Sequence, residues 1–314
     1  MASIPKLVIL LLCTCLHTLL AHGGDDLRTY KVLHAGALKS ATVNCSQPQV
    51  TPSYGGVTVP LHHRHGPCSP SPVPSTKAPT LQEMLRRDQL RAAYITRNQS
   101  ESGNLLEDQT DGLMGLGGGA ESLATQTAGT FGKAFSYCLP PTPDSSGFLT
   151  LGAATSGFVV KTPMLRSSEV PSYYGVRLQA IRVGGRQLSI PASVFSAGSI
   201  MDSGTIITRL PATAYSALSS AFKAGMKQYP PAQPMGIFDT CFDFSGQSSV
   251  SIPSVALVFS GGVVVDLATD GIILDSCLAF AANTDDSSLG IIGNVQQRTI
   301  EVLYDVGGGA VGFK

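Results

Sequence analysis

The chain is 314 residues long, 43% hydrophobic and only 13% charged, and its 21 Lys/Arg balance 21 Asp/Glu to a net charge of zero. That composition predicts a well-packed globular body of one large domain or two lobes, with no basic stripe for nucleic acid and too little polarity for a disordered chain. All six histidines lie at or before His65, which removes Ser-His and Cys-His nucleophiles and histidine-held zinc from everything downstream, and no Cys-x-x-Cys pair offers a sulfur site. Carboxylate chemistry is what remains among the common hydrolytic mechanisms, and no metal or cofactor is expected.

Residues 1–23 read as a secretory signal peptide: Met1 to Lys6, then the apolar run Leu7 to Ala21, with cleavage between Ala21 and Gly24. The run is too short to cross a hydrocarbon core of about 30 Å comfortably, so no membrane association is expected after cleavage. Entry to the secretory pathway permits disulfides and gives meaning to the sequons at Asn44 and Asn98 as glycosylation acceptors. Residues 24–110 are polar, basic and proline-rich from Pro67 to Pro79, and read as a pro-segment and linker. The first hundred residues carry 10 Lys/Arg against 4 Asp/Glu and the rest 11 against 17, a split of +6 and −6. Within this segment Thr80-Leu81-Gln82-Glu83 has the form of a capping box opening a helix over 81–95, with Leu81, Met84, Leu85 and Leu90 towards one side and Arg86, Arg87 and Arg91 exposed. Two readings stand: a surface helix on a linker, or a pro-segment whose arginines cover an acidic cleft, the second favoured by the charge split.

From Asp111 the texture changes to glycine-punctuated strands. Gly117-Gly118-Gly119 lacks the following Lys-Ser/Thr of a phosphate loop, and a close approach between backbones accounts for these glycines better. Residues 148–152, 173–183 and 186–190 read as strands, the last two joined at Gly184-Gly185 as a hairpin, and 255–259 and 263–267 form a second hairpin around Gly261-Gly262. Ser199-Ile200-Met201 leads into Asp202-Ser203-Gly204-Thr205, and Pro211 starts a helix with Tyr215, Leu218 and Phe222 on one face. Residues 289–294, 299–304 and 311–313 complete an all-β body with short helices.

Asp202-Ser203-Gly204-Thr205 is where the sequence commits to a chemistry, since a carboxylate stands on a tight turn after an apolar strand. Hydrolysis by such a group needs two aspartates sharing one proton. No second Asp-Ser/Thr-Gly occurs in the chain.

Tyr173-Tyr174-Gly175-Val176-Arg177-Leu178, Ile181-Arg182-Val183-Gly184-Gly185, Ile200 to Thr205, Phe238-Asp239-Thr240-Cys241-Phe242 and Ile291-Ile292-Gly293-Asn294 together resemble the second lobe of pepsin-like aspartic endopeptidases, most closely the plant, nepenthesin-like branch. The resemblance implies an acid-protease lobe over 156–314, a remnant of the first lobe over 111–155, and a first lobe otherwise largely absent. It makes Asp202 the catalytic carboxylate, supported by Ser203 and Gly204, and makes Thr205 the hydroxyl that ties two active-site loops together. Ile292 and Gly293 would lie on the strand crossing behind the turn. It pairs Cys241 with Cys277, a loop closure worth roughly 3–4 kcal/mol, and leaves Cys138 unpaired or joined to Cys45 or Cys68. The function it implies is acid-pH endoproteolysis of peptide or protein substrates, as a zymogen, in an extracellular, cell-wall or vacuolar setting. With one half-site the activity is expected to be impaired. The alternative is an inactive, truncated member acting as a peptide- or protein-binding module, and self-association through an exposed lobe edge is expected of a lobe without its partner.

Overall fold

The computed structural model describes residues 29–34, 55–63, 66, 68, 79–96, 114–142, 145–166 and 171–314. Residues 1–23, where a signal peptide is expected, and Asn44, Cys45, Asn98 and Asp111 lie outside the described residues.

Three sheets carry the body. The largest has six strands in the order Val57–His62, Ser146–Leu151, Ala134–Cys138, Glu301–Asp305, Ala310–Phe313 and Val160–Pro163. A five-stranded sheet runs Phe280–Ala282, Thr208–Leu210, Gly290–Ile292, Ser199–Met201 and Gly175–Val176. A four-stranded sheet runs Val263–Asp266, Val255–Phe259, Leu178–Val183 and Arg186–Gln187. Both predicted hairpins form, and each turns on two glycines with positive φ: Gly184 and Gly185 at 55° and 74°, Gly261 and Gly262 at 82° and 74°. Two consecutive left-handed residues give the twist that joins antiparallel strands through a two-residue loop.

The expected strand over 173–183 is broken in two. Gly175–Val176 pairs with Ser199–Met201, whereas Leu178–Val183 pairs with Val255–Phe259, so the chain changes sheet at Arg177. The strand expected over 186–190 stops at Gln187, because the chain turns at Pro191 into a short 3-10 helix. No strand forms over 114–117. Gly117 instead lies against residue 172, where an added Cβ would sit 2.4 Å from the Ser172 carbonyl oxygen, the close backbone approach that its glycines suggested.

Among the described residues two α-helices exceed four residues. Ala212–Gly225 follows Pro211 and buries Tyr215, Leu218 and Phe222 at helical spacing. These side chains join a continuous core with Leu178, Ile181, Val255, Leu257, Phe259 and Phe280, each fully buried or nearly so. Burial of each such side chain stabilises by about 1.5–3 kcal/mol relative to exposure. The other helix, Leu81–Thr96, falls in the stretch that the sequence reads as a pro-segment, called the leader below, and lies over the five-stranded sheet. Cys241 and Cys277 are bridged, fastening Thr240–Phe242 to Ser276–Leu278, while Cys138 carries a free thiol.

Candidate active site

The Ser199–Met201 strand delivers Asp202 to its turn. Gly290–Ile292 runs parallel beside it in the register Ile292 opposite Met201, and the Asp202 N–H donates to the Ile292 carbonyl at 3.0 Å. The strand named by the resemblance therefore passes directly behind the carboxylate. Gly293 has no room for a side chain, since a Cβ there would sit 2.7 Å from the Ile206 carbonyl oxygen. Beyond it, the Asn294 N–H donates to Thr205 O at 2.7 Å and its side-chain amide to Ser203 O at 3.1 Å. The turn is thus held from behind by backbone and from the side by one asparagine.

Asp202 is 8% exposed. It accepts the Thr205 hydroxyl at 2.5 Å and the Gly204 N–H at 3.1 Å. Thr205 therefore turns inward onto the carboxylate, whereas the resemblance assigns it a bond across to a second loop. Ser203 is exposed; its carbonyl accepts the Asn294 amide, and its side chain interacts with the Tyr137 hydroxyl.

The remaining partner comes from the leader helix. Arg91 grips Asp202 bidentately, Nε to Oδ2 at 2.9 Å and Nη2 to Oδ1 at 2.8 Å. Planar fork-to-carboxylate pairing of this kind is the strong form of a charged hydrogen bond. Gly204 makes room for it, because a Cβ there would sit 2.6 Å from the guanidinium. One turn earlier the polarity reverses. Asp88 accepts the Ile206 N–H, accepts the Ile207 N–H at 3.4 Å, and pairs with Arg209 Nη2 at 2.9 Å. Leader and body thus exchange an acid for a base twice across one interface.

Apolar contacts flank the two pairs. Leu85 enters a cluster with Ile207, Phe238, Cys241, Cys277 and Val295, and Ala92 and Ile95 pack on Ile200 and Ile291. The buried stripe is therefore Leu85, Asp88, Ala92 and Ile95, which corrects the expected face: Leu90 is 62% exposed and Arg91 points into the body. The capping box forms as expected, with Thr80 N–H donating to Glu83 at 2.8 Å and Glu83 N–H to Thr80 Oγ1 at 3.2 Å.

Burial pushes the Asp88 carboxyl above its usual range, against the N–H groups of Ile206 and Ile207 and the Arg209 charge, which pull it down. Burial works against the Arg91 charge, but the bonded Asp202 carboxylate outweighs it and raises its pKa. The Tyr173 hydroxyl is pushed up by burial and by the Asp202 charge. Among the described residues the hydrogen bonds to the Asp202 carboxylate come from Arg91, Gly204 and Thr205 alone. Asp239, another carboxylate, in the Phe238 to Phe242 motif, accepts from Tyr215 and Thr240 instead. Among the described residues no cluster of His, Cys, Asp and Glu could hold a metal ion.

Sequence reasoning missed Asp88, Arg209 and Asn294 as parts of this site. The signal for Asp88 is its place in the 85, 88, 92, 95 stripe, where an acid interrupts an otherwise apolar face. A buried charge in such a stripe demands a partner.

The sequence profile of the family described as "Xylanase inhibitor C-terminal" matches residues 173–314, and that described as "Xylanase inhibitor N-terminal" matches 73–153. An aspartyl protease family protein of Arabidopsis thaliana is 52% identical over 209 residues, 64% of this chain and 44% of the relative. The Arabidopsis aspartyl protease AED1 is 43% identical over 73% of this chain and 50% of its own length, and nepenthesin-2 of Nepenthes gracilis 37% identical over 64% and 49%. The chain spans about half the length of the curated relatives it matches. Among solved structures, soybean basic 7S globulin superposes with a TM-score of 0.55 at 24% identity, over 67% of this chain and 58% of that one. Lupine conglutin gamma gives 0.57 at 23%, over the same shares; these two likenesses speak to the fold. With an all-β lobe, an Asp-Ser-Gly-Thr turn backed by a parallel strand, and relatives of this kind, the chain belongs to the plant pepsin-like aspartic protease family.

Proposed function

We propose that this chain is the second lobe of an acid endopeptidase, held latent by its own leader. Asp202 is the carboxylate that would activate water, Ser203, Gly204 and Thr205 shape its turn, and Ile292 and Gly293 back it. The observation that carries this reading is the bidentate Arg91–Asp202 pair, because a group so well presented and so specifically capped is what a zymogen requires. One carboxylate cannot both take a proton from water and give one to the scissile carbonyl, so the chain by itself is expected to be impaired. Peptides or proteins are the substrate class. A secreted, cell-wall or vacuolar setting is proposed on the signal segment, with glycans at Asn44 and Asn98.

The test is complementation. The full chain is co-refolded with a separately expressed first lobe of the 52%-identical Arabidopsis relative and assayed on a peptide at pH 3–5. Cleavage is expected in the mixture, increased by Arg91→Ala and abolished by Asp202→Asn. Cleavage that survives Asp202→Asn would remove this residue from the chemistry, and no cleavage in any mixture would favour the second reading. That reading is a peptide- or protein-binding module. Its support is that the Asp202 face already binds a helix through two ion pairs, and that the matching profiles are described as inhibitors.

A further inference from the structure

Behind the Asp202 turn lies a buried hydrogen-bonded chain. Resting on the reading of Asp202 as the working carboxylate, we infer that Tyr137 and Gln297 are positioning residues for it, acting through the Ile292 carbonyl. That carbonyl accepts two donors: the Asp202 N–H at 3.0 Å and the Gln297 side-chain Nε2–H at 2.7 Å. Because a carbonyl can only accept, the Gln297 amide must face it with its nitrogen, which turns Oε1 to the other side. There Oε1 accepts the Tyr137 hydroxyl. Tyr137, having donated its proton, accepts from the Tyr304 hydroxyl at 2.9 Å. Every direction in the chain Tyr304, Tyr137, Gln297, Ile292, Asp202 is fixed by this donor and acceptor arithmetic.

Tyr137, Gln297 and Tyr304 are 3%, 1% and 3% exposed, so water cannot substitute for a lost member without rearrangement. Phe135 stacks on Tyr304 at 4.6 Å and Tyr174 closes on it at 5.0 Å, which fixes the far end of the chain in the six-stranded sheet. Tyr137 comes from the first-lobe remnant strand Ala134–Cys138, and Gln297 from the short helix Asn294–Gln297. The chain therefore makes the height of the Asp202 turn depend on the six-stranded sheet.

Single-residue amide hydrogen exchange on the full chain tests this. In Tyr137→Phe the Asp202 amide is expected to exchange about ten-fold faster, roughly the worth of one net hydrogen bond in a local opening equilibrium, while the Ala212–Gly225 amides keep their rates. Tyr304→Phe leaves the Tyr137–Gln297 bond in place, and a smaller rise is expected. Gln297→Leu should exceed both where it folds. An Asp202 amide at its wild-type rate in Tyr137→Phe, or one that speeds up only in step with the helix, overturns the proposal. The readout is independent of proteolysis, so a failure here is distinct from a failure of the complementation assay.

Discussion

At Asp88 the acceptor geometry matters more than the charge. Two backbone N–H groups and the Arg209 guanidinium converge on one carboxylate that is 3% exposed, and Arg209 Nε already lacks a partner among the described residues. Asp88→Ala strands all of these donors, and a loss of about 2–3 kcal/mol in helix docking is expected from unsatisfied buried groups. Asp88→Asn keeps one oxygen for the N–H pair and is expected to cost less than about 1 kcal/mol. Denaturant titration of the two variants checks the order, and equal losses would show that charge is what counts. The pH dependence follows from the raised carboxyl. Its docked pKa lies above the free value near 3.8, so the docked state takes up the proton more readily. The Asp88 contribution to docking therefore strengthens as pH falls through the docked value, levels off below 3.8, and is lost as pH rises. The wild-type chain is expected to gain protection of the 81–96 amides relative to Asp88→Asn on acidification; a relative loss would reverse the sign. Asp202 was legible in the sequence because its motif is contiguous. Asp88 and Arg91 were not, because their meaning lies in partners more than a hundred residues away.

The leader helix docks by an interrupted apolar stripe. Leu85 is 2% exposed and sits beside the Cys241–Cys277 bridge, while Ala92 and Ile95 close on Ile200 and Ile291. The two ion pairs set register, and the apolar contacts supply most of the attraction, since Arg91 is partly solvated and its pair is correspondingly discounted. Leu85→Asp should release the helix, with limited proteolysis cutting within 81–96 well before the body is attacked; resistance equal to wild type would place the attraction in the ion pairs. The start of the helix was readable from the capping box, but its face was not. Counting Leu90 as buried follows hydrophobicity, whereas the body asks for the residues spaced 85, 88, 92, 95, one of which is an acid. The hairpins were readable at Gly184-Gly185 and Gly261-Gly262 because the turn chemistry is local. The break at Arg177 was not, since it is imposed by which sheet each half joins.

Across the whole molecule the leader touches the body at three separate places. Tyr30–His34 pairs antiparallel with Ser249–Pro253, Val57–His62 with the Ser146–Leu151 strand of the six-stranded sheet, and Leu81–Thr96 covers the Asp202 face. The first gives Ser249–Pro253 its partner in a two-stranded sheet, the second closes one edge of the six-stranded sheet, and the third covers apolar side chains that a lone lobe would leave in water. Open edges and lost apolar burial, at roughly 25 cal/mol per Å², both favour pairing with another chain. Self-association is accordingly proposed for the stripped lobe rather than for the chain with its leader in place. A chain lacking residues 24–96 is expected to elute as oligomers or aggregate, whereas the chain that retains them runs as a monomer by light scattering. Adding back a peptide of residues 78–98 should recover part of the monomer, and Arg91→Glu in that peptide should abolish the recovery by setting a carboxylate against Asp202. A stripped lobe that stays monomeric without the peptide would mean that the body's own edges are closed, and that the leader serves only to cap the carboxylate.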